Sequence, residues 1–275
     1  MESSGTLSRV RFCGPGAGGI LPSFLSPKKG WVGYTLPMTV EAKTLDKSRT
    51  EIQRMFSDVA PRYDLLNRWL SARRDVAWRR ASAEALDIGP GSLVLDLCCG
   101  TGDQALAVHR HQARVFAADF SLSMLSLARK KFSSSDHPRP HGLAGDTLQL
   151  PLVEGLFAGL TVSFGVRNVE DLQAALQEMY RVLAPGGKAA ILEFATPCRQ
   201  PFRQLYLLYF SHLLPRIGRW ISPRGSAYQY LTDSVLSFPQ RQDFIDEMTR
   251  AGFNHTAWQD LSGGIVCLYT GTRST

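Results

Sequence analysis

An α/β fold with a doubly wound, mostly parallel sheet is what this sequence predicts. From Leu93 to the C terminus, short apolar runs alternate with segments of helical periodicity, the pattern of strands joined by crossover helices. The first run, Leu93-Val-Leu-Asp-Leu97, is apolar enough for a strand buried on both faces. It turns through Gly100 and Gly102 into a helix from Gln104 onward. The second run, Arg114-Val-Phe-Ala-Ala118, ends on Asp119. Ligands of such sheets bind where the strands end in turns of this kind.

The glycine turn is the centre of the chemistry. Glycine lets the backbone approach a ligand that a Cβ would obstruct, and the following helix points its first N–H groups at the same place. Gly100, Gly102 and Ala105 also satisfy the loose dinucleotide pattern. Two acids favour S-adenosylmethionine (SAM) instead. Asp96, at the strand end, is placed to sit near the cationic methionine portion. Asp103, directly after the second glycine, would repel a pyrophosphate. Asp119 suits the two ribose hydroxyls of either cofactor. The blander alternative is a glycine turn with no ligand.

A chain of 275 residues, 44% apolar and 20% charged, has ample material for a globular core. No apolar run reaches the roughly 20 residues of a membrane-spanning helix. Five cysteines without C-x-x-C spacing indicate neither a zinc site nor a disulfide framework, so no metal is expected. The net charge of +7 sits in the flanks. Asp96–Thr196 holds nine basic and ten acidic residues. Arg62–Arg80 holds six arginines against two acids, and Arg199–Arg224 five against none. Such flanks can face nucleic acid, an anionic membrane or water.

Residues 1–45 are Gly-, Ser- and Pro-rich and predict a disordered extension. Translation starting at Met38 explains it, ahead of an organelle transit peptide. Residues 46–88 predict a helical cap, with helices at Arg49–Phe56, Tyr63–Leu70 and Asp75–Leu86 broken by Ser57–Pro61 and Ser71. Residues 89–275 form the αβ domain, with a lid-like insertion near 198–238. Within it, a helix through Met124, Leu125 and Ala128 ends in Arg129-Lys-Lys131, favourable at a helix C-terminus. Gly142–Asp146 is a short strand and turn that puts Asp146 and Thr147 where adenine would lie. Further strands are expected at Leu160–Phe164, Lys188–Phe194, Phe253–Trp258 and Gly264–Thr270, with helices over Leu172–Leu183 and Phe244–Ala251. Asn168-Val-Glu-Asp171 caps the first of these helices.

These residues resemble the ubiquinone/menaquinone biosynthesis C-methyltransferases. The likeness lies in Arg54-Met-Phe-Ser-Asp-Val-Ala-Pro-Arg-Tyr-Asp-Leu-Leu-Asn67, Asp96-Leu-Cys-Cys-Gly-Thr-Gly-Asp103 and Ser163-Phe-Gly-Val-Arg-Asn-Val169. It continues in Tyr180-Arg-Val-Leu-Ala-Pro-Gly-Gly187, Leu192-Glu-Phe194 and Tyr228-Gln-Tyr-Leu231. The resemblance implies a class I SAM-dependent methyltransferase fold, with a seven-stranded, mostly parallel sheet and an antiparallel last strand. It implies SAM contacts at Thr101, Asp119, Asp146, Thr147 and Ser163, beside Asp96, Gly100 and Gly102 from the turn. Two departures stand out: Ala158, where the family usually has Asp, and Cys98, in place of the first turn glycine.

Methyl transfer from a sulfonium needs in-line alignment above all. A quinol ring carbon becomes nucleophilic when a neighbouring hydroxyl loses its proton, so the site must stabilise a phenolate-like oxygen. Arg167 is the expected cation. Asn168 is expected to hold a second ring oxygen and to serve as a helix N-cap. Substrate contacts are expected at Tyr63, Asn67, His212 and Tyr228, with Tyr63, His212 or a water as proton acceptor. Leu205–Leu214, bordered by Arg203, Arg216 and Arg219, suits a lipid surface or an isoprenoid tail, or else a buried lid helix. Nucleic acid is the weakest option.

The expected reaction is C-methylation of 2-demethylmenaquinol, with a benzoquinol of the ubiquinone pathway as the alternative acceptor. Two other classes stay open: an NAD-dependent oxidoreductase, and a non-catalytic scaffold of a quinone-synthesis complex. The expected location is the cytoplasm, at the inner face of the membrane. A homodimer or a larger quinone-synthesis assembly is left open.

Overall fold

The computed structural model describes residues 48–60, 63–134, 139–210 and 226–275. Its strands are β1 (Leu93–Leu97), β2 (Arg114–Asp119), β3 (His141–Ala144), β4 (Phe157–Ser163), β5 (Leu183–Phe194), β6 (Asn254–Leu261) and β7 (Val266–Thr272). They pair in the order β3-β2-β1-β4-β5-β7-β6. Strands β1 to β5 pair in parallel, and β7 runs antiparallel to both its neighbours. The chain winds outward from β1 in one direction and from β4 in the other. The crevice between their carboxyl ends is therefore the switch point where open α/β sheets bind ligands.

Alternation along β1 sends its side chains to two cores. Leu95 and Leu97 join Leu160, Val162, Leu176 and Met179 on one face. Val94 joins Trp78, Ala105, Val108 and Leu192 on the other. The sheet is thus covered on both sides, as its apolar strands require. Truncating a fully buried leucine such as Leu97 to alanine costs about 2–5 kcal/mol.

Helices α1 (Arg49–Val59), α2 (Tyr63–Leu70) and α3 (Arg74–Ala85) precede the sheet. Helices α4 (Asp103–His109), α5 (Leu122–Phe132) and α6 (Leu172–Val182) follow β1, β2 and β4. Helices α7 (Phe202–Leu208), α8 (Ser226–Ser237) and α9 (Gln242–Arg250) lie between β5 and β6. Ser121 caps α5 by accepting from the Met124 N–H.

Three local expectations change. Helix α1 runs on to Val59, since no true breaker precedes Pro61. The N-cap of α6 is Asp171, which accepts from Ala174 N at 2.9 Å. Asn168 instead closes a 3-10 turn, Val166–Asn168, three residues earlier. Strand β4 begins at Phe157, which places Ala158 on an exposed position within it, away from the cavity described next. Among the described residues, no helix is long and apolar enough to cross a membrane, and no cluster of metal-ligating residues occurs.

Candidate active site

Two turns meet at the switch point. Beyond β1, Cys98 (φ 51°), Gly100 (φ 55°) and Gly102 (φ 84°) take the left-handed conformation. A Cβ on Gly102 would lie 2.5 Å from the Phe132 ring, so packing as well as backbone demands glycine there. Gly100 has open space beside it and lines the cavity, leaving room for a ligand to approach the backbone. Beyond β4, a Cβ on Gly165 would overlap Cβ of Cys98. The two turns lie back to back, which explains the glycine within Ser163-Phe-Gly-Val-Arg-Asn168.

Between them opens a cavity walled by Cys98, Gly100, Asp119, Asp146, Ser163 and Asn168 at the strand ends. Thr147 and Glu170 add polar groups, and Ile52, Phe56 and Tyr63 close it from α1 and α2. The Phe56 and Tyr63 rings meet edge to face, with centroids 6.1 Å apart. Asp119 is fixed in orientation: one oxygen accepts from Gly100 N and the other from Ser121 N, each at 2.8 Å. Burial pushes its carboxyl above the ordinary range, against the pull of those two N–H groups. Each oxygen keeps a further lone pair for a hydroxyl. Asp146 accepts from Leu148 N at 3.0 Å, and Thr147 Oγ1 lies 3.5 Å from Cys98 Sγ.

Two buried atoms in this wall, Ser163 Oγ and Asn168 Oδ1, have no partner among the described residues. Leaving a buried polar atom unmatched costs about 1–3 kcal/mol, so a polar ligand is what these groups fit. Among the described residues the lining also carries three acids, Asp119, Asp146 and Glu170, and no lysine or arginine. On a chain of net charge +7, that local sign favours a cationic ligand and opposes a pyrophosphate.

The other described residues expected at the site lie outside the lining. Asp96 is fully buried. Alternation turns it away from the cavity, toward the α3 side and Arg79, and burial raises its pKa to about 8. It does not line the cavity. Thr101 turns to α2 and α5: its hydroxyl donates to Asp64 at 2.5 Å and accepts from Lys131 at 3.0 Å. Gly102 shapes the turn from behind.

Arg167 is the largest departure. Its guanidinium pairs with Glu193 at 2.8 Å, donates to the carbonyl of Phe164 and stacks 5.5 Å from the Phe194 ring centroid. The cation is already compensated, and Arg167 does not line the cavity. Asn67 lies on α2 with Tyr63 but outside the lining. His212 and the side chain of Tyr228 lie outside the described residues.

Sequence reasoning missed Phe56, Glu170 and Glu193. Ile52 and Phe56 stand one helical turn apart, a signal for a shared apolar face. Glu193 was visible as the lone acid in an apolar strand.

A doubly wound sheet carrying an acid-walled crevice at its switch point fits the SAM-dependent methyltransferase class. Solved structures agree on the fold. A SAM-dependent methyltransferase from Thermotoga maritima superposes with a TM-score of 0.55 and 18% identity, covering 80% of this chain and 100% of that one. Phosphoethanolamine N-methyltransferase 2 of Haemonchus contortus, in complex with SAM, gives a TM-score of 0.52 at 12% identity, over 70% of this chain and 52% of that one. The sequence is more specific. Residues 43–273 match the ubiE/COQ5 methyltransferase family, and the chain belongs to it. The demethylmenaquinone methyltransferase of Streptomyces avermitilis is 41% identical over 231 residues, 84% of this chain and 98% of that protein. That of Mycobacterium marinum is 41% identical over 229 residues, 83% of this chain and 96% of that protein.

Proposed function

We propose that this chain transfers the methyl group of SAM to a ring carbon of a prenylated quinol, converting 2-demethylmenaquinol to menaquinol. The observation that carries this reading is the 41% identity to the Streptomyces avermitilis demethylmenaquinone methyltransferase across 98% of its length. The acid-walled cavity fits the cationic cofactor. The benzoquinol alternative draws no support from the relatives named above, and an NAD cofactor is opposed by the sign of the lining.

SAM, when bound, supplies a methyl group activated by its sulfonium. Asp119, aligned by Gly100 and Ser121, accepts from the ribose hydroxyls. Asp146 and Thr147 flank the base, and Ser163 offers its unmatched hydroxyl. On the acceptor side, Ile52, Phe56 and Tyr63 give an apolar wall against which an aromatic ring can lie. Asn168 presents its unmatched amide oxygen to a quinol hydroxyl and orients the ring. The chain works mainly by such positioning, which can contribute roughly 7–11 kcal/mol to a reaction between two bound partners. Arg167 acts as a positioning residue in this reading, since its pair with Glu193 sets the turn that carries Asn168.

Leu205 and Leu208 on α7 are 65% and 61% exposed and stand beside Arg199 and Arg203. They support peripheral contact with an anionic membrane surface, suited to a prenylated acceptor. A cytoplasmic location at that surface is part of the same proposal. The test is to offer labelled SAM with reduced demethylmenaquinone or with the reduced demethylated benzoquinone. Label in the naphthoquinol is expected; label confined to the benzoquinol would overturn the acceptor assignment.

A further inference from the structure

Lys131 stands outside the cavity, at the C-terminal end of α5, yet it joins three parts of the molecule. Its ammonium lies 2.5 Å from Asp64 on α2 and 2.7 Å from Asp103 at the start of α4. It also donates to Thr101 in the glycine turn at 3.0 Å. Thr101 donates in turn to the other oxygen of Asp64 at 2.5 Å. Arg68, one helical turn beyond Asp64, reaches the second oxygen of Asp103 at 3.1 Å and Asp75 at 2.6 Å.

Charges therefore alternate in the order Asp64, Lys131, Asp103, Arg68, and each cation bridges two acids. All four side chains are partly buried, so solvent screens them less than an ordinary surface pair. Burial alone would push the Asp103 carboxyl up, but Lys131, with Arg79 and Arg68, outweighs it and holds it below the usual range. Ser57 on α1 adds a contact to Ser123 on α5 at 3.0 Å. The helices held this way are the ones that close the cavity: Tyr63 immediately precedes Asp64, and Ile52 and Phe56 lie on α1.

We propose that Lys131 is a positioning residue that latches the α1–α2 cap over the cofactor cavity, setting the rate at which cofactor leaves and the placement of the Tyr63 wall. The part concerning the cofactor rests on the SAM reading above. Without Lys131, Asp64 and Asp103 keep their charges and lose the cation between them, so their repulsion favours the open cap.

The experiment compares the full chain with Lys131→Ala, Lys131→Arg and Arg80→Ala, the last breaking an exposed pair with Glu84. Amide hydrogen exchange is followed at Arg49–Val59, Tyr63–Leu70, β1 and β4, and SAM release is followed by stopped flow. In Lys131→Ala, cap exchange and SAM release should each quicken about tenfold, the size expected for losing one charge-assisted hydrogen bond. Exchange in β1 and β4 should stay unchanged, Lys131→Arg should restore most of the effect, and Arg80→Ala should show none. Unchanged cap exchange would overturn the proposal, as would faster exchange spread evenly through β1 and β4. If Lys131→Ala does not fold, Asp64→Asn weakens the same latch from the α2 side and should quicken cap exchange alone. A wild-type chain that binds no SAM would refute the cofactor reading, while the exchange comparison would still decide the latch.

Discussion

Glu193 holds Arg167 twice: one carboxylate oxygen accepts from the Arg167 backbone N–H at 3.2 Å, the other from its guanidinium at 2.8 Å. Glu193 is fully buried in β5, and Arg167 sits in the turn that follows β4. The pair therefore ties two neighbouring strands together at their carboxyl ends and fixes the turn that presents Asn168 to the cavity. Removing one partner of a buried ion pair strands the other charge and destabilises by about 3–5 kcal/mol.

Arg167→Ala and Glu193→Ala should both lower the thermal midpoint sharply. The double replacement Arg167→Met with Glu193→Leu should recover much of the stability, because no charge is left unpaired. It should not recover turnover, since the turn loses its bond to the backbone N–H. Calorimetry and a methyl-transfer assay on the same three proteins check this. Full recovery of turnover in the double variant would show that the pair serves stability alone.

Asp119 accepts two backbone N–H groups and still faces the cavity. An asparagine keeps the shape, but its NH2 group would face one of those N–H donors. Asp119→Asn should weaken SAM binding by about ten- to a hundredfold, the equivalent of one or two charge-assisted hydrogen bonds. Titration calorimetry with SAM measures it; unchanged affinity would remove Asp119 from the binding role.

Gly102 and Gly155 both have positive φ, at 84° and 70°, but only Gly102 has a ring against its missing Cβ. Alanine at either position strains the backbone by about 1–2 kcal/mol. At Gly102 the overlap with Phe132 adds about 1–3 kcal/mol of overpacking. Thermal denaturation of the two variants should therefore show a larger loss for Gly102→Ala. Equal losses would contradict the packing seen behind the turn.

Asp96 gives a pH dependence of definite sign. Burial raises its folded pKa to about 8, from 3.8 for the free group, so the folded state binds a proton that the unfolded state has released between those values. Its contribution to stability is full at low pH and falls as pH rises from about 4 to about 8. Asp96→Asn, which cannot ionise, should be more stable than the wild type at pH 8 and similar to it near pH 4. Urea denaturation at both pH values tests this, and the opposite ordering would mean that the carboxylate is stabilised in place by Arg79.

The architecture was legible because its signals are local. Apolar runs ending in Asp96, Asp119 and Phe164 marked β1, β2 and β4, and the alternation of strands with helices implied a ligand at the strands' carboxyl ends. Those of the expected cofactor contacts that wall the cavity, Gly100, Asp119, Asp146, Thr147 and Ser163, follow from that arrangement. Side-chain direction was the part that chain order could not convey. Asp96 and Arg167 stand at strand ends as expected, yet strand alternation and a distant acid turn them away from the cavity. Neither the pairing of Arg167 with Glu193, 26 residues apart, nor the bridge of Lys131 to Asp64 leaves a periodic trace in the sequence.

The most direct test of the central claim uses SAM carrying a deuterated methyl group, 2-demethylmenaquinol and the full chain in a single turnover. The expected result is a deuterated methyl bonded to a ring carbon, with S-adenosylhomocysteine released in equal amount. Label on a quinol oxygen, or no transfer while SAM is bound, would contradict it.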